Sequence, residues 1–288
     1  MTTIEQVPEQ AQEPAMTTPA AVPTALPARP SLNETVSQTM TLAWRSLIKM
    51  RRNMEQFFDV TIQPLLFTAM FAYLFGGAVT GQHGSEGVKA YLPLIITGII
   101  GQSVLTACIA TGTQLREDMD KGVFDRFKVL PIARIAPLAG PMVADLVRYL
   151  IASTLTFATG FAMGYRPGGG VLGVVASILL AMVAGWSLAW VFTWVGTIGK
   201  SAMSVQGISM MIMFPLTFMS NAFVPTNTMP GWLEKFANAN PVSHVIAAIR
   251  DLANNGQVTG EVGWALLGCA IVIAIFAPLS VRSFNKHM

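Results

Sequence analysis

Charged side chains are scarce in this chain of 288 residues, because Asp, Glu, Lys and Arg together make up 11% of it. Soluble domains carry about 25%. So few charges cannot cover a water-exposed surface, which excludes an ordinary soluble domain. The mean hydropathy is +0.53, and the apolar residues fall into separate runs of about 20, the length that crosses a hydrocarbon layer about 30 Å thick. The composition therefore predicts a membrane protein whose main solvent is lipid.

Cysteine and histidine are also rare, with two and three copies. Cys108 and Cys269 lie inside apolar runs without a C-x-x-C spacing, which argues against a disulfide framework or a cysteine metal site. The histidines lie far apart, so no histidine metal cluster is expected. A phosphate-binding P-loop also fails, because Trp194 stands where the motif ending in Gly199-Lys200-Ser201 needs a glycine. We expect this chain to bind no cofactor and to hydrolyse no ATP by itself.

The chain opens with a polar stretch, residues 1–30, that holds six prolines and no long apolar run. This composition predicts a disordered Pro- and Ala-rich cytoplasmic tail rather than a secretory signal. Ser31 then suits a helix N-cap, with Glu34 completing a capping box. Beyond it, apolar and basic residues recur on opposite sides of a helix, as expected of an amphipathic helix lying in the membrane interface. The predicted interfacial helix covers residues 31–58.

Residues 59–288 are predicted to form an all-α polytopic membrane domain. Between its last two apolar runs, a loop at 224–262 contains proline-initiated segments, which predict two short half-helices dipping against the outer leaflet. Asn240 suits the cap of the second half-helix. The six transmembrane helices are expected at about 60–79, 91–113, 142–164, 171–198, 203–223 and 263–281.

Basic residues are distributed unevenly around these predicted spans. With both termini inside, 14 of the 18 Lys and Arg residues lie on the cytoplasmic side, as the positive-inside rule requires. This topology also accounts for the net charge of +3 without nucleic acid as a partner. Both termini are therefore predicted to be cytoplasmic.

Asp145 and Arg148 are unusual because they are ionisable residues inside a predicted span, three apart on one helix face. Such residues often mark gates or substrate contacts, which makes the pair a candidate gate. A simple ion pair at the membrane interface is the preferred explanation. The scarcity of carboxylates inside the spans argues against a proton-driven transporter.

The most charged stretch, residues 115–134, is predicted to be a cytoplasmic loop that contains a short amphipathic helix. Gly122 suits the end of the preceding helix, and Pro131 stops the short one. Such a helix either presses into a groove on a soluble partner or simply lies in the interface. Its apolar and charged residues include Phe124, Asp125, Arg126, Phe127 and Leu130.

Two motifs are similar to those of a known family. The outer loop reads F-V-P, then M-P-x-W-L, then N-P opening a helix that ends near an arginine, and the cytoplasmic loop reads R-x5-G-x2-D-R-F-x2-L-P. Both resemble the permease subunits of type-2 ATP-binding-cassette exporters, especially the daunorubicin-resistance-like bacterial branch. The outer motif is carried by Phe223, Val224, Pro225, Met229, Pro230, Trp232, Leu233, Asn240, Pro241 and Arg250. The loop motif is carried by Arg116, Gly122, Asp125, Arg126, Phe127, Leu130 and Pro131.

This resemblance implies the membrane half of an exporter in the bacterial cell membrane that moves amphipathic drugs or lipids outward. A separate ATP-binding-cassette ATPase would use the ATP, and two permease copies would complete a two-plus-two complex. The loop around Gly122 would then couple to the ATPase, and the outer half-helices would guide substrate release or close the pathway. The alternative is an ion-coupled carrier or channel that works without an ATPase. An intramembrane enzyme would need a catalytic dyad in the spans, and the sequence offers none.

The predicted orientation is tested by placing single cysteines on the two sides of the membrane. With Asn227→Cys outside, a membrane-impermeant thiol reagent is expected to label it in intact cells, whereas Asp120→Cys is expected to react only after the cells are opened. Labelling is read from the mass of the purified chain. The reverse pattern would show that the orientation is wrong.

Overall fold

The computed structural model describes residues 31–81, 84–124, 133 and 135–287. These ranges are helical and contain no strand, which confirms the all-α prediction. The predicted tail, residues 1–30, lies outside them. The long elements are α1 (Leu32–Arg52), α2 (Met54–Thr80), α3 (Gly84–Asp120), α4 (Ala136–Ala162), α5 (Gly170–Ile198), α6 (Ala202–Phe218), α7 (Gly231–Ala239), α8 (Pro241–Asn255) and α9 (Gly260–His287), with a 3₁₀ turn at Thr226–Thr228.

The first helix begins as predicted but ends sooner. The side chain of Ser31 accepts from the Glu34 N–H (3.3 Å), and the Glu34 carboxylate accepts from the Ser31 N–H (2.7 Å), which completes the capping box. Asn53 then has extended backbone angles (φ −96°, ψ 103°), and α2 begins at the next residue. The predicted element 31–58 is therefore wrong at its C-terminal end, because this extended residue divides it into two helices.

Five helices in the described ranges are long and apolar enough to cross a membrane: Val60–Thr80, Gly84–Asp120, Ala136–Ala162, Gly170–Ile198 and Gly260–Phe284. The predicted fifth span, 203–223, is wrong in its extent, since α6 has 17 residues and stops at Phe218. At 1.5 Å per residue it is about 26 Å long, short of a layer of about 30 Å. The chain continues from it without helical structure.

Two contacts show which ends of the helices lie on the same side of the membrane. Phe284, near the end of α9, packs edge-to-face on Phe124 beyond the end of α3, with ring centroids 5.0 Å apart. Lys49 of α1 pairs with Asp118 of α3 at 2.9 Å. These contacts place the start of the membrane domain and its C-terminal end on one side, which requires an even number of crossings. The predicted count of six, with α6 and the residues after it as the fifth, stays a prediction.

α3 is the central helix of the protomer, since it contacts α2, α4, α5, α6 and α8. It begins at Gly84, so the predicted start of the second span, at residue 91, is seven residues too late. Close packing against α5 depends on two facing glycines: a Cβ on Gly196 would lie 2.5 Å from the Gly112 carbonyl oxygen, and a Cβ on Gly112 would collide with the Phe192 carbonyl oxygen. The backbones of α3 and α5 meet directly there.

The two predicted half-helices exist as α7 and α8, but they differ in burial. Trp232 of α7 is 67% exposed, as a membrane-surface anchor would be, whereas Ile246 and Ile249 of α8 are fully buried. α8 packs on α3, α5 and α9. The prediction that both dip against the outer leaflet is therefore wrong for α8, because its apolar face forms part of the protein core.

Replacing Gly112 with alanine tests the close packing of α3 on α5. Helix propensity alone favours Gly→Ala by up to about 1 kcal/mol, but the added methyl group overlaps a backbone carbonyl and forces the helices apart, which typically costs about 1–3 kcal/mol. We expect Gly112→Ala to lower the unfolding free energy in mixed micelles. Gly207→Ala is the control, because its Cβ meets nothing within 4 Å, and it is expected to be neutral or stabilising. Equal effects of the two changes would contradict the packing.

Candidate functional site

Residues 219–224, here called the bent segment, connect α6 to the 3₁₀ turn through turns and bends. Lipid offers no hydrogen bonds, so non-helical backbone at membrane depth persists only where it is buried in protein or lines a cavity. Ser220, Ala222 and Phe223 are all less than a tenth exposed. The bent segment therefore depends on neighbouring side chains for its hydrogen bonds.

Tyr91 of α3 and Arg250 of α8 supply two of these bonds. The Tyr91 hydroxyl donates to the Phe223 carbonyl oxygen at 2.8 Å, and Arg250 Nη2 donates to the Asn221 carbonyl oxygen at 2.8 Å. Within the segment, the Ala222 N–H donates to Ser220 Oγ at 3.2 Å. Three consecutive residues of the segment thus have backbone groups held by side chains.

Arg250 is a half-buried cation whose hydrogen bonds, where the structure describes them, go to neutral oxygens. Its Nε also donates to Thr97 Oγ1 at 3.3 Å. Burial lowers the pKa of Arg250 to about 10, with nearby Asp251 and Tyr91 acting in the opposite direction. The guanidinium therefore stays charged at neutral pH and ties α8 to both α3 and the bent segment.

Gly98 permits the approach of α3 to this segment. A Cβ at Gly98 would collide with the carbonyl oxygen of Ala222 and lie 3.1 Å from its Cα. Any side chain at this position would push the bent segment away from Tyr91 and Thr97. The glycine is thus required by a close backbone contact.

Asn240 joins α6 to α8 with a single side chain. As predicted, its Oδ1 caps α8 by accepting from the Val242 N–H at 3.0 Å, and Pro241 follows in the first turn. Its Nδ2 donates to the Leu216 carbonyl oxygen at 2.9 Å. That carbonyl lies in the last turn of α6, where no helical partner remains. At each of two helix ends, Asn240 therefore bonds one backbone group that has no partner inside its own helix.

A second bridge fixes the other end of α8. Asn254 Nδ2 donates to the Pro93 carbonyl oxygen of α3 at 3.2 Å, and its Oδ1 accepts from the Tyr165 hydroxyl at 2.5 Å. Burial raises the pKa of Tyr165 to about 12, so the hydroxyl keeps its proton at neutral pH. α8 is thus held on α6 at its N-terminal end and on α3 near its C-terminal end.

Aromatic rings cover the bent segment. Phe223 stacks on Phe71 of α2 (centroids 4.8 Å apart) and on Phe218 of α6 (5.4 Å). Of the other residues predicted in the outer loop, Pro225 precedes the 3₁₀ turn and Pro230 precedes α7. The structure therefore brings Asn240 and Arg250 to the bent segment, while Pro241 lies in the first turn of α8 and Trp232 stays on the exposed surface of α7.

One face of α3 combines partial exposure with polarity. Ser103, Thr106, Ala110 and Thr113 follow helical spacing and are partly exposed, whereas most of the helix is buried. We call these four residues the α3 stripe. The hydroxyls of Thr106 and Thr113 donate to carbonyls of their own helix. A face of this kind gains little from contact with lipid.

The α3 stripe opens on a small cleft between α2, α3 and α4. The cleft holds about 30 Å³, enough for water, and its lining includes Gln63, Ser103, Thr106 and Arg148. These side chains offer hydrogen-bond donors in a membrane-spanning region. The cleft is thus a polar recess in an otherwise apolar protomer.

The predicted pair of Asp145 and Arg148 forms, with Arg148 Nη1 3.0 Å from Asp145 Oδ1. Both residues are less than 5% exposed, so the pair lies inside the protein, and its predicted depth at the membrane interface stays a prediction. Thr111 Oγ1 donates to Asp145 Oδ2 at 2.5 Å, and Arg148 Nε donates to Met50 Sδ at 3.3 Å. The pair therefore joins α1, α3 and α4 inside the protein, and its role as a gate stays a prediction.

The predicted coupling segment is described only at its start. Gly122 has φ +65°, which confirms that a left-handed residue ends α3. Phe124 is buried with Leu115, Leu138 and Phe284, whereas the prediction places its ring in a groove on the ATPase. The predicted contact of the Phe124 ring with the ATPase is therefore wrong, because the ring packs against other side chains of this chain. Asp125, Arg126, Phe127 and Leu130 lie outside the described residues.

The sequence did not point to Tyr91, Thr97, Gly98 or Asn221 as parts of the site. Their partners lie far along the chain, with 132 positions between Tyr91 and Phe223. The one local signal was Gly98, a glycine in an apolar span, which often marks a close helix contact.

Comparison with known proteins gives a consistent result. The ABC-2 type transporter family matches residues 37–253. The chain is 39% identical over 260 residues to a daunorubicin resistance ABC transporter permease, DrrB1, of Streptomyces coeruleorubidus, with 90% of each chain covered. It is 25% identical over 256 residues to a probable doxorubicin resistance ABC transporter permease, DrrC, of Mycobacterium tuberculosis, covering 88% of this chain and 91% of that one.

Tyr91→Phe tests the support of the bent segment. It removes one hydroxyl and leaves the buried Phe223 carbonyl without this donor, so we expect the unfolding free energy to fall by about 1–3 kcal/mol. Tyr73→Phe makes the same chemical change at a residue that is 71% exposed, and we expect it to be neutral. Unfolding in mixed micelles measures both. A Tyr91→Phe protein as stable as the wild type would mean that the bond contributes nothing.

Proposed function

This chain belongs to the ABC-2 type transporter family as a permease subunit, and we propose that two copies of it form the pathway of a drug exporter in the bacterial cell membrane. The family implies a partner subunit that binds ATP. In this proposal the partner alone uses ATP, and the permease contributes the pathway and no catalytic chemistry. The complex contains two permeases and two ATPases.

The observation that carries the proposal is the α3 stripe. Polar positions inside a span are expensive in lipid and usually face a bundle interior or a water-filled cavity. In one copy the stripe is partly exposed, so a second copy is the natural cover for it. The hydroxyls and the recess beside Gln63 and Arg148 would then border a path for molecules with both polar and apolar parts.

The ATPase is proposed to bind at the connection between α3 and α4. The contacts Lys49–Asp118 and Phe124–Phe284 gather α1, this connection and the end of α9 on one side. The excess of basic residues on this side favours a cytoplasmic location. Arg126 and Phe127 are the proposed contacts with the ATPase, and both termini are cytoplasmic.

The proposed substrates are amphipathic drugs of the class named for the relatives, or lipids of similar character. At the other end of the pathway, the bent segment and α8 are proposed to form the outer closure. Their support comes from Tyr91, Asn240 and Arg250, which hold them as one unit. An ion-coupled carrier gains no support, because the buried Asp145 is paired with Arg148 rather than arranged in a relay.

Export is tested in inside-out membrane vesicles that contain this chain with or without a co-expressed ATP-binding-cassette ATPase subunit. We expect ATP-dependent uptake of daunorubicin, followed by its fluorescence, only when both subunits are present. Uptake by this chain alone, driven by a proton gradient, would overturn the proposal in favour of an ion-coupled carrier.

Two phenylalanine variants in the same vesicles separate coupling from folding. Phe127→Ala removes a proposed interface anchor, whose loss commonly costs about 2 kcal/mol or more of binding, so ATPase retention and uptake are expected to fall while the unfolding free energy is unchanged. Phe124→Ala leaves a cavity against Phe284 and is expected to lower the unfolding free energy by about 3–5 kcal/mol. Arg126→Glu is expected to weaken ATPase retention by charge repulsion.

Phe161→Ala, at the far end of α4, is the control and is expected to retain the ATPase. Full uptake and full ATPase retention in the Phe127→Ala protein would remove the coupling role of this segment, although export itself would stand.

A further inference from the structure

A basic groove lies where α1 turns into α2. It has a volume of about 550 Å³ and is lined by Arg45, Ile48, Lys49, Arg52, Asn53 and Met54. Among these described lining residues, three are cations and none is a carboxylate. We call this surface the elbow groove.

Helical spacing and one ion pair set the arrangement of the cations. Arg45, Lys49 and Arg52 lie four and three positions apart, on one face of α1. Lys49 is already engaged by Asp118 at 2.9 Å, which fixes the end of α1 against α3. Arg45 and Arg52 are exposed and stand on either side of that fixed point.

An exposed apolar stripe runs along α1 into the groove. Trp44 is 66% exposed and Ile48 is 41% exposed, next to Arg45 and Arg52. The stripe begins with Leu32, Val36 and Met40. Large apolar side chains beside basic ones form the pattern by which a helix lies at a lipid surface, with its apolar side among acyl chains and its cations at the headgroups.

We propose that the elbow groove binds the headgroup of an anionic phospholipid. Arg45 and Arg52 hold the phosphate and the net negative charge, and the acyl chains lie along Trp44 and Ile48. Charge complementarity selects the lipid, because two exposed cations, Arg45 and Arg52, beside the Lys49–Asp118 pair favour a headgroup with a net negative charge over a zwitterionic one. The site is separate from the pathway and does not depend on the proposed function.

The test uses the purified full-length chain in detergent with equal amounts of phosphatidylglycerol and phosphatidylcholine. Native mass spectrometry counts each lipid retained. We expect the wild type to prefer phosphatidylglycerol. In the R45Q/R52Q variant we expect the ratio of retained phosphatidylglycerol to phosphatidylcholine to be at least about five-fold lower, because a change of that size is the effect of about one basic residue near an anionic surface. The R45K/R52K variant keeps both charges and is expected to keep most of the preference.

K200Q/R282Q is the matched control, because it removes the same charge from two exposed residues outside the groove. We expect it to retain the wild-type preference. An unchanged preference in R45Q/R52Q, or an equal loss in the control, would overturn the proposal. Loss of lipid retention on adding inorganic phosphate would also overturn it, since the groove would then bind free phosphate.

Two further measurements close the remaining alternatives. If R45Q/R52Q loses the co-purified ATPase while its lipid preference is intact, the arginines contact the partner protein and the proposal is wrong. If that variant does not fold, the test is made on the wild type alone. Raising the salt to about 0.5 M screens exposed charges, so we expect the preference for phosphatidylglycerol to fall. A preference that does not change with salt would contradict the proposed site.

Discussion

The structure depends on one constraint, that backbone N–H and C=O groups in hydrocarbon find their partners inside the protein. Nearly all of the described chain meets it with helices, but α6 ends at Phe218 and leaves the bent segment to continue without helical bonds. That segment persists because α3, α8 and the residue before α8 supply it with side-chain donors. We infer that α8 is inserted into the protein, rather than lying on its surface, because it has to bring Arg250 and Asn240 to these carbonyls.

The same constraint explains why α3 is central. Near its start, Tyr91 and Gly98 meet the bent segment; in its middle, Gly112 meets α5 backbone to backbone; near its end, Asp118 pairs with Lys49 of α1. A helix of 37 residues is about 56 Å long, so it reaches from one membrane surface to the other. We infer from these contacts that a movement of the α3–α4 connection reaches the bent segment through α3. The Tyr91→Phe protein, which loses support of the bent segment at one end of α3 only, is suited to measure this coupling.

The parts that sequence predicted correctly are those governed by neighbours in the chain. The Ser31 capping box, the Asn240 cap with Pro241, and the left-handed Gly122 each follow from a few adjacent residues. The end of α6 was not predictable in this way, because the apolar run continues through Phe223 and hydropathy does not register a change in hydrogen bonding. The partner of Phe124 was not predictable either. Its position on the apolar side of an amphipathic helix is compatible with a groove on another protein and with packing against Phe284 of the same chain.

Arg148 and Arg250 show why burial of a charge does not by itself reveal its role. Arg148 lies 3.0 Å from the carboxylate of Asp145, so its charge is compensated within the protein. Arg250 instead donates to Asn221 and Thr97, which are neutral acceptors. A half-buried cation of this kind is costly without acceptors, and the Asn221 carbonyl is costly without a donor. The Arg250 guanidinium and the Asn221 carbonyl therefore stabilise each other only while α8 and the bent segment stay together. Separating α8 from the bent segment is for this reason a cooperative step rather than the loosening of a single bond.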